Sequence, residues 1–331
     1  MIETIRKLAE AYGPSGHEDE VRALIHAEVE GLADEVTVDA LGNLVAWKRS
    51  GRQNAPVVML TAHMDEIGLM VTHIDEKGFL RFTNVGALYP ITLVGNRVRF
   101  ADGTIGTIGV ELKEFKSTSV PGMDKLYVDV DSGSGKATVR VGDAACIDRT
   151  MIQRGSRLIA KSMDNRIGCA ILIEVLRQTK KPACDAAFVF TVQEEVGRRG
   201  AYTATYGVNP DLGIAVDVTR TGDTPNGVLM EVDLGKGPAI KIKDAGMIAA
   251  PEVVALMEAA ARKAKVPVQR EVLEGGTTDA ASMQVTRAGV RSGCLSIPCR
   301  DVHTASETVD LNDVEGAVKL LATLVQSPVT V

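Results

Sequence analysis

The chain has 331 residues, 45% of them apolar and 24% charged, which is enough to bury one large core or two and excludes a disordered protein. Its formal net charge of −6 and isoelectric point near 5.5 offer no electrostatic reason to bind nucleic acid or an acidic membrane, both of which require a basic patch.

The opening stretch MIETIRKLAEAYGPSG sets Ile2, Ile5, Leu8, Ala9 and Tyr12 on one helical face and stops at Gly13 and Pro14. That pattern predicts a domain's first helix and not a signal peptide. No segment reaches the roughly 20 consecutive apolar residues of a membrane helix. HEDEVRALIHAEVEGLA reads as a second amphipathic helix, EVTVDALGNLVAWK alternates as strands do, and APVVMLTAH is apolar almost throughout, like a central strand. From residue 68 to 156 helical periodicity is absent. Short strand patterns (ITLVGNRVRF, GTIGTIGVEL, KLYVDVD, KATVRVGDAACI) are separated there by glycines, and EFKSTSVPGMDK, with its Pro-Gly turn, is expected to be the most exposed loop. Alternation then resumes: helix NRIGCAILIEVLRQ, strands AAFVFTV and LGIAVDV, helix APEVVALMEAAARKA, strand GVRSGCLSI and a last helix over Val314–Gln326.

These elements predict an α/β protein with a mixed sheet sandwiched by helices, interrupted by a small β-barrel or sandwich. Residues 1–67 and 157–331 would form one discontinuous domain and residues 68–156 the insertion. The five cysteines (Cys146, Cys169, Cys184, Cys294, Cys299) are odd in number and lie mostly in apolar segments. They suit reduced thiols in the cytoplasm, and Cys294 and Cys299, with no second pair nearby, read as buried residues and not as a metal pair.

In open α/β sheets, ligands bind beyond the carboxyl ends of the strands. PVVMLTAHMD ends in His63 and Asp65, AFVFTVQEE in Glu194 and Glu195, and LGIAVDVT in Asp217; Asp164 opens a helix in KSMDNRIG and His303 follows the strand CLSIP. Taken singly each has an ordinary explanation: a solvated Glu-Glu turn, an Asp helix cap, an Asp beginning a loop. Their convergence on one sheet edge is what argues for a site. Two histidines with several carboxylates suit zinc, and after it cobalt or manganese, and exceed what one tetrahedral ion needs, so a pair of ions is expected. Because side chains alternate along a strand, one of Glu194 and Glu195 is expected to coordinate while its neighbour acts as general base. The i, i+2 spacing lets Asp65 orient His63. His17, His26 and His73 read as structural or surface residues.

The motifs LTAHMDEIGLMV, KSMDNRIGC, FTVQEEVGRRGA, IAVDVT, GGTTDA and IPCRDVHTASE, with AYGPSGHEDEVR near the N-terminus, resemble in order and spacing the dinuclear-metal aminopeptidases of the glutamyl and tetrahedral type, over essentially the whole chain. The resemblance implies a zinc-exopeptidase-like domain with His63 and Asp217 on one metal, Glu195 and His303 on the other, Asp164 bridging, Glu194 as base and Asp65 behind His63. It also implies that the insertion is a dimerisation domain, that the protein is a homo-oligomer, either a dimer or a hollow tetrahedral dodecamer built from dimers, and that short peptides are the substrates. Ser162 departs from the family, which more often carries Ala beside the lysine. Rival readings are a carboxypeptidase or deacylase on the same two-metal core, a non-catalytic binding protein, and a glycoside hydrolase. The last needs carboxyl groups flanking a sugar bond, which adjacent glutamates do not provide.

Overall fold

The computed structural model describes residues 1–115, 119–131 and 138–329. Four parallel strands form the middle of the large sheet, in the order Asp185–Thr191, Val57–His63, Leu212–Thr219, Arg291–Arg300. Antiparallel strands extend it: Leu44–Lys48 and Glu35–Val38 on one side, and Glu307–Asp310, Arg157–Ala160 and Ile152–Arg154 on the other. Ala239–Lys243 and Gln269–Val272 branch from Arg291–Arg300. The sheet is therefore mixed, as expected.

The parallel strands bury nearly every residue on both faces, which requires helices above and below. Helix Met163–Gln178 packs on Val57–His63 and Leu212–Thr219 and is backed by Ile2–Glu10 and Leu311–Val325; Arg199–Val208 and Asp279–Gln284 supply further cover. Phe188, Phe190, Leu60, Met59 and Ile214 lie at the centre of the core. Each such side chain contributes roughly 1.5–3 kcal/mol of burial. The last helix begins at Leu311, three residues before the position read from periodicity. Asp310 caps it by accepting the Asn312 N–H at 2.8 Å, and that capping signal outranks the apolar pattern.

Six antiparallel strands between Gly68 and Ile147 close into a barrel, in the order Gly68–Ile74, Leu80–Val85, Leu126–Asp129, Ile105–Val110, Arg97–Phe100, Ala144–Ile147. Closure leaves no free edge, and Leu69, Val71, Phe82, Val98, Phe100, Ile108 and Val128 give the barrel its own core. Of the loop expected to be most exposed, residues 116–118 lie outside the described residues, as do residues 136 and 137 of the last strand pattern.

Candidate metal centre

The parallel register puts the carboxyl ends of the central strands at one edge. His63 lies opposite Thr191 at the end of its strand, and Asp217 lies opposite Ser296 near the end of its own. The turn after Arg157–Ala160 delivers Asp164 to the same edge, and the segment beyond Arg300 delivers His303. Asp164 Oδ1 is 3.0 Å from His63 Nε2, and Asp217 Oδ1 is 3.8 Å from the same nitrogen. Asp164 Oδ2 is 3.2 Å from His303 Nε2, which lies 3.3 Å from Glu195 Oε1. The structure thus brings together all five residues singled out as ligands, in two groups that share Asp164: His63–Asp164–Asp217 and Asp164–Glu195–His303, each with its donor atoms within 4.8 Å. His17 and His73 lie outside both groups, His17 against Tyr12 and His73 exposed on the barrel; His26 lies on the second helix.

Glu194 and Glu195 reach the cleft by a route that strand alternation does not describe. Their strand ends at Thr191, and Gln193 adopts a left-handed φ of 55°, which turns the chain across the sheet edge. The buried Asp65 carboxylate then collects both backbone N–H groups, Glu194 at 2.9 Å and Glu195 at 3.1 Å, and a third bond from Ser15 Oγ at 2.6 Å. Both glutamates line the cleft. Asp65 also carries His63, whose Nδ1 donates to the Asp65 carbonyl at 3.0 Å, with the carboxylate 3.4 Å away. A carbonyl only accepts, so Nδ1 bears a proton, and by the same rule Nε2 donates to the Asp164 carboxylate at 3.0 Å; a cation bound there would take the place of that Nε2 proton.

Negative charge is concentrated here beyond what the protein's own cations balance. Burial first, and then the neighbouring acids, push the carboxyls of Glu194 and Asp217 well above their ordinary range, raise Glu195, and lift Asp279 to about 6. Burial opposes the charged form of His303, but the Asp164 and Glu195 carboxylates beside its Nε2, at 3.2 and 3.3 Å, outweigh that and raise it to about 12. Glu195 Oε1 is buried without a hydrogen bond. Closely set nitrogen and carboxylate donors, short of positive charge and with an orphaned oxygen among them, fit divalent cations.

Sequence reasoning passed over the supports beneath these groups. Glu66, beside Asp65, is buried with Lys161 (Nζ–Oε2 2.6 Å) and Arg166 (Nη2–Oε1 3.2 Å) and accepts from the Ser162 hydroxyl, so the residue that departs from the family pattern belongs to this network. Glu18 accepts the Gly16 N–H at 2.7 Å and the Gln193 N–H at 3.1 Å, which ties the N-terminal segment to the turn before Glu194. Charged residues flanking Asp164 in KSMDNR were the available signal. Glu18 gave none. Thr278 caps helix Asp279–Gln284, its side chain accepting from the Ala280 N–H, while Gly275 and Gly276 line the cleft.

The cleft has a volume of about 410 Å³, within the usual range for small-ligand sites, and also presents Arg198, Arg220 and Lys241. Fold and family make the protein a peptide-bond hydrolase of the aminopeptidase class, a chemistry with which the cleft and its candidate donors are compatible. The chain belongs to the M42 glutamyl aminopeptidase family, whose model matches residues 42–320. A lysyl aminopeptidase of Pyrococcus furiosus is 34% identical to it over 339 residues, 98% of this chain and 96% of the relative. Among solved structures, the aminopeptidase APDkam598 from the archaeon Desulfurococcus kamchatkensis is 37% identical with a TM-score of 0.92, covering 98% of this chain and 94% of its own. The TET1 peptidase of Pyrococcus horikoshii, described as assembling into a tetrahedron or a large octahedral shell, is 30% identical with a TM-score of 0.86, covering 98% of each chain.

Proposed function

We propose that the protein is a two-metal aminopeptidase that removes N-terminal residues from short peptides, with Glu194 as general base. The observation that carries this reading is Asp164, whose two carboxylate oxygens face two different histidines at 3.0 and 3.2 Å. His63 and Asp217 would hold one ion, Glu195 and His303 the other, and Asp164 both. Zinc suits these donors, with cobalt and manganese as alternatives. Bound there, two divalent cations supply Lewis-acid polarisation of the scissile carbonyl and acidify a water.

The remaining work falls to side chains of this chain. Glu194, held by its N–H to Asp65 and facing the cleft, takes a proton from the attacking water on a carboxylate oxygen. As the water oxygen bonds to the carbonyl carbon and the C–N bond breaks, Glu194 returns that proton to the leaving nitrogen. Asp65 keeps base, ligand and imidazole in one frame through three hydrogen bonds to Glu194, Glu195 and His63. Acidic groups around the cleft attract the substrate's terminal ammonium and so favour exopeptidase action.

Exposed apolar residues on the inserted barrel and its loops, Ile91 at 71%, Leu112 at 74% and Val141 at 61%, support its reading as the domain through which copies associate into a dimer or dodecamer. All five cysteines are free and buried, consistent with a cytoplasmic location, and no helix among the described residues is long and apolar enough to cross a membrane.

The test combines metal analysis with a panel of aminoacyl chromogenic substrates, assayed after chelation and after re-addition of each metal. Free-amine substrates should be cleaved only in the metal-loaded form; activity confined to N-acylated or C-terminal substrates would favour the deacylase or carboxypeptidase reading. Cellulose hydrolysis that survives the chelator would favour the glycosidase. Glu194→Gln should keep the metals and lose about 10²–10⁴-fold in kcat.

A further inference from the structure

Asp164 and His303 come from segments 139 residues apart, yet a single side chain holds both backbones. The Asp164 N–H donates to Glu307 Oε2 at 2.9 Å, and the His303 N–H donates to Glu307 Oε1 at 2.8 Å. Glu307 is 1% exposed, and among the described residues no Lys or Arg pairs with it. The register explains its position: Glu307 begins the strand Glu307–Asp310 opposite Ala160, the last residue of the strand that leads into the Asp164 turn. Pairing of these two strands therefore sets Glu307 between the two ligand-bearing segments.

Both segments need such a clasp. His303 and Asp301 adopt left-handed φ values of 65° and 58°, and Ser162, two residues before Asp164, one of 57°. Side chains with a Cβ resist that region, so these turns persist only where the surroundings determine them. Only a carboxylate offers two oxygens that both accept and neither donates, as two N–H groups arriving from different directions require. Burying that charge without a cationic partner costs free energy, which an apolar residue at the strand start would avoid. Asp65 serves Glu194 and Glu195 in the same manner on the other side of the cleft.

From this geometry we infer that Glu307 is a positioning residue: its carboxylate fixes Asp164 and His303 at the spacing that makes the Asp164–Glu195–His303 group a cation site. The inference rests on the two-metal reading. It assigns Glu307 no contact with substrate or reacting atoms.

The metal-free full-length chain is titrated with Co²⁺, followed by calorimetry and by the visible absorption of the bound ion, for wild type, Glu307→Gln and Glu307→Asp. The amide offers one acceptor where two are needed, and the shorter acid keeps its charge but cannot span both N–H groups. In each variant the ion of the Asp164–Glu195–His303 group, which loses the support of two of its donors, should bind about 10–100-fold more weakly, with an altered spectrum, while the other ion, which shares only Asp164, should lose less. Circular dichroism of the metal-free form reports folding, and either variant that folds decides the matter. Unchanged affinity for both ions, or equal loss at both, overturns the role of Glu307. A wild-type chain that takes up no ion overturns the two-metal reading and this inference with it, an outcome visible before any variant is made.

Discussion

Replacing Glu66 by Gln should destabilise the protein by about 4 kcal/mol. Glu66 is 2% exposed and faces two cations that are no more exposed, Lys161 at 2.6 Å and Arg166 at 3.2 Å. Removing one partner of a buried ion pair typically costs about 3–5 kcal/mol, because the other charge is left uncompensated. Here one change orphans two cations. Their remaining partners soften the loss: Lys161 donates to the Ala11 carbonyl at 3.1 Å, and Arg166 to the Leu8 and Gly13 carbonyls at 2.5 and 3.2 Å. Glutamine also keeps one acceptor, worth about 1 kcal/mol. A net of about 4 kcal/mol is a large share of a stability of roughly 5–15 kcal/mol and corresponds to a fall in Tm of roughly 6–8 °C.

The assay is urea unfolding of the metal-free wild type and variant across pH. Burial alone would raise the Glu66 carboxyl, but Lys161 and Arg166 outweigh it and hold the group below its ordinary value. A depressed folded-state pKa means that the contribution is complete above the unfolded value, about 4.3, and is lost as pH falls through the lower folded one. The gap between wild type and variant should therefore be full at pH 7 and close on acidification below about pH 4. A gap under about 1 kcal/mol at pH 7, or one that widens in acid, would refute this account. Replacing Glu66, Lys161 and Arg166 together by methionine should recover much of the loss, since no charge then stays buried alone.

Asp65→Asn leaves one acceptor oxygen for three donors, so metal affinity should fall about 10–100-fold and kcat should drop even at saturating metal; dialysis against graded metal buffers measures the first and steady-state kinetics the second. Chelation should lower Tm reversibly, and re-addition of metal at about 1,000 times Kd should restore about 4 kcal/mol for each ion, read by calorimetry. Gly106→Ala tests the barrel alone: an added Cβ would lie 2.4 Å from Val128 Cγ1, so overpacking should cost about 1–3 kcal/mol while metal binding stays at wild-type affinity.

The legible part of the site was local. Apolar runs leading to His63, Glu194, Glu195 and Asp217 declare both a buried parallel strand and ionisable groups at its end within a dozen residues, so period and residue type sufficed to single out these candidates. The turn that carries Glu194 and Glu195 was not legible, because a left-handed Gln193 is held by partners far away, Glu18 and Asp65. Ser162 shows the same limit. By sequence it is a departure beside a lysine, and in the fold it donates to Glu66.

Sequence by itself indicated the main strands and helices, a run of short strands between them that could form a barrel or a sandwich, and which residue types stand at the strand ends, since each follows from spacing along one stretch of chain. Tertiary structure alone decided which oxygen of Asp164 faces which histidine, that Asp65 gathers two neighbouring amides, and that Glu307 sits between Asp164 and His303. These depend on the register between strands distant in sequence, such as Ala160 opposite Glu307. A one-residue slip in that pairing would turn the side chain to the other face of the sheet, and nothing in the local pattern records which register is taken.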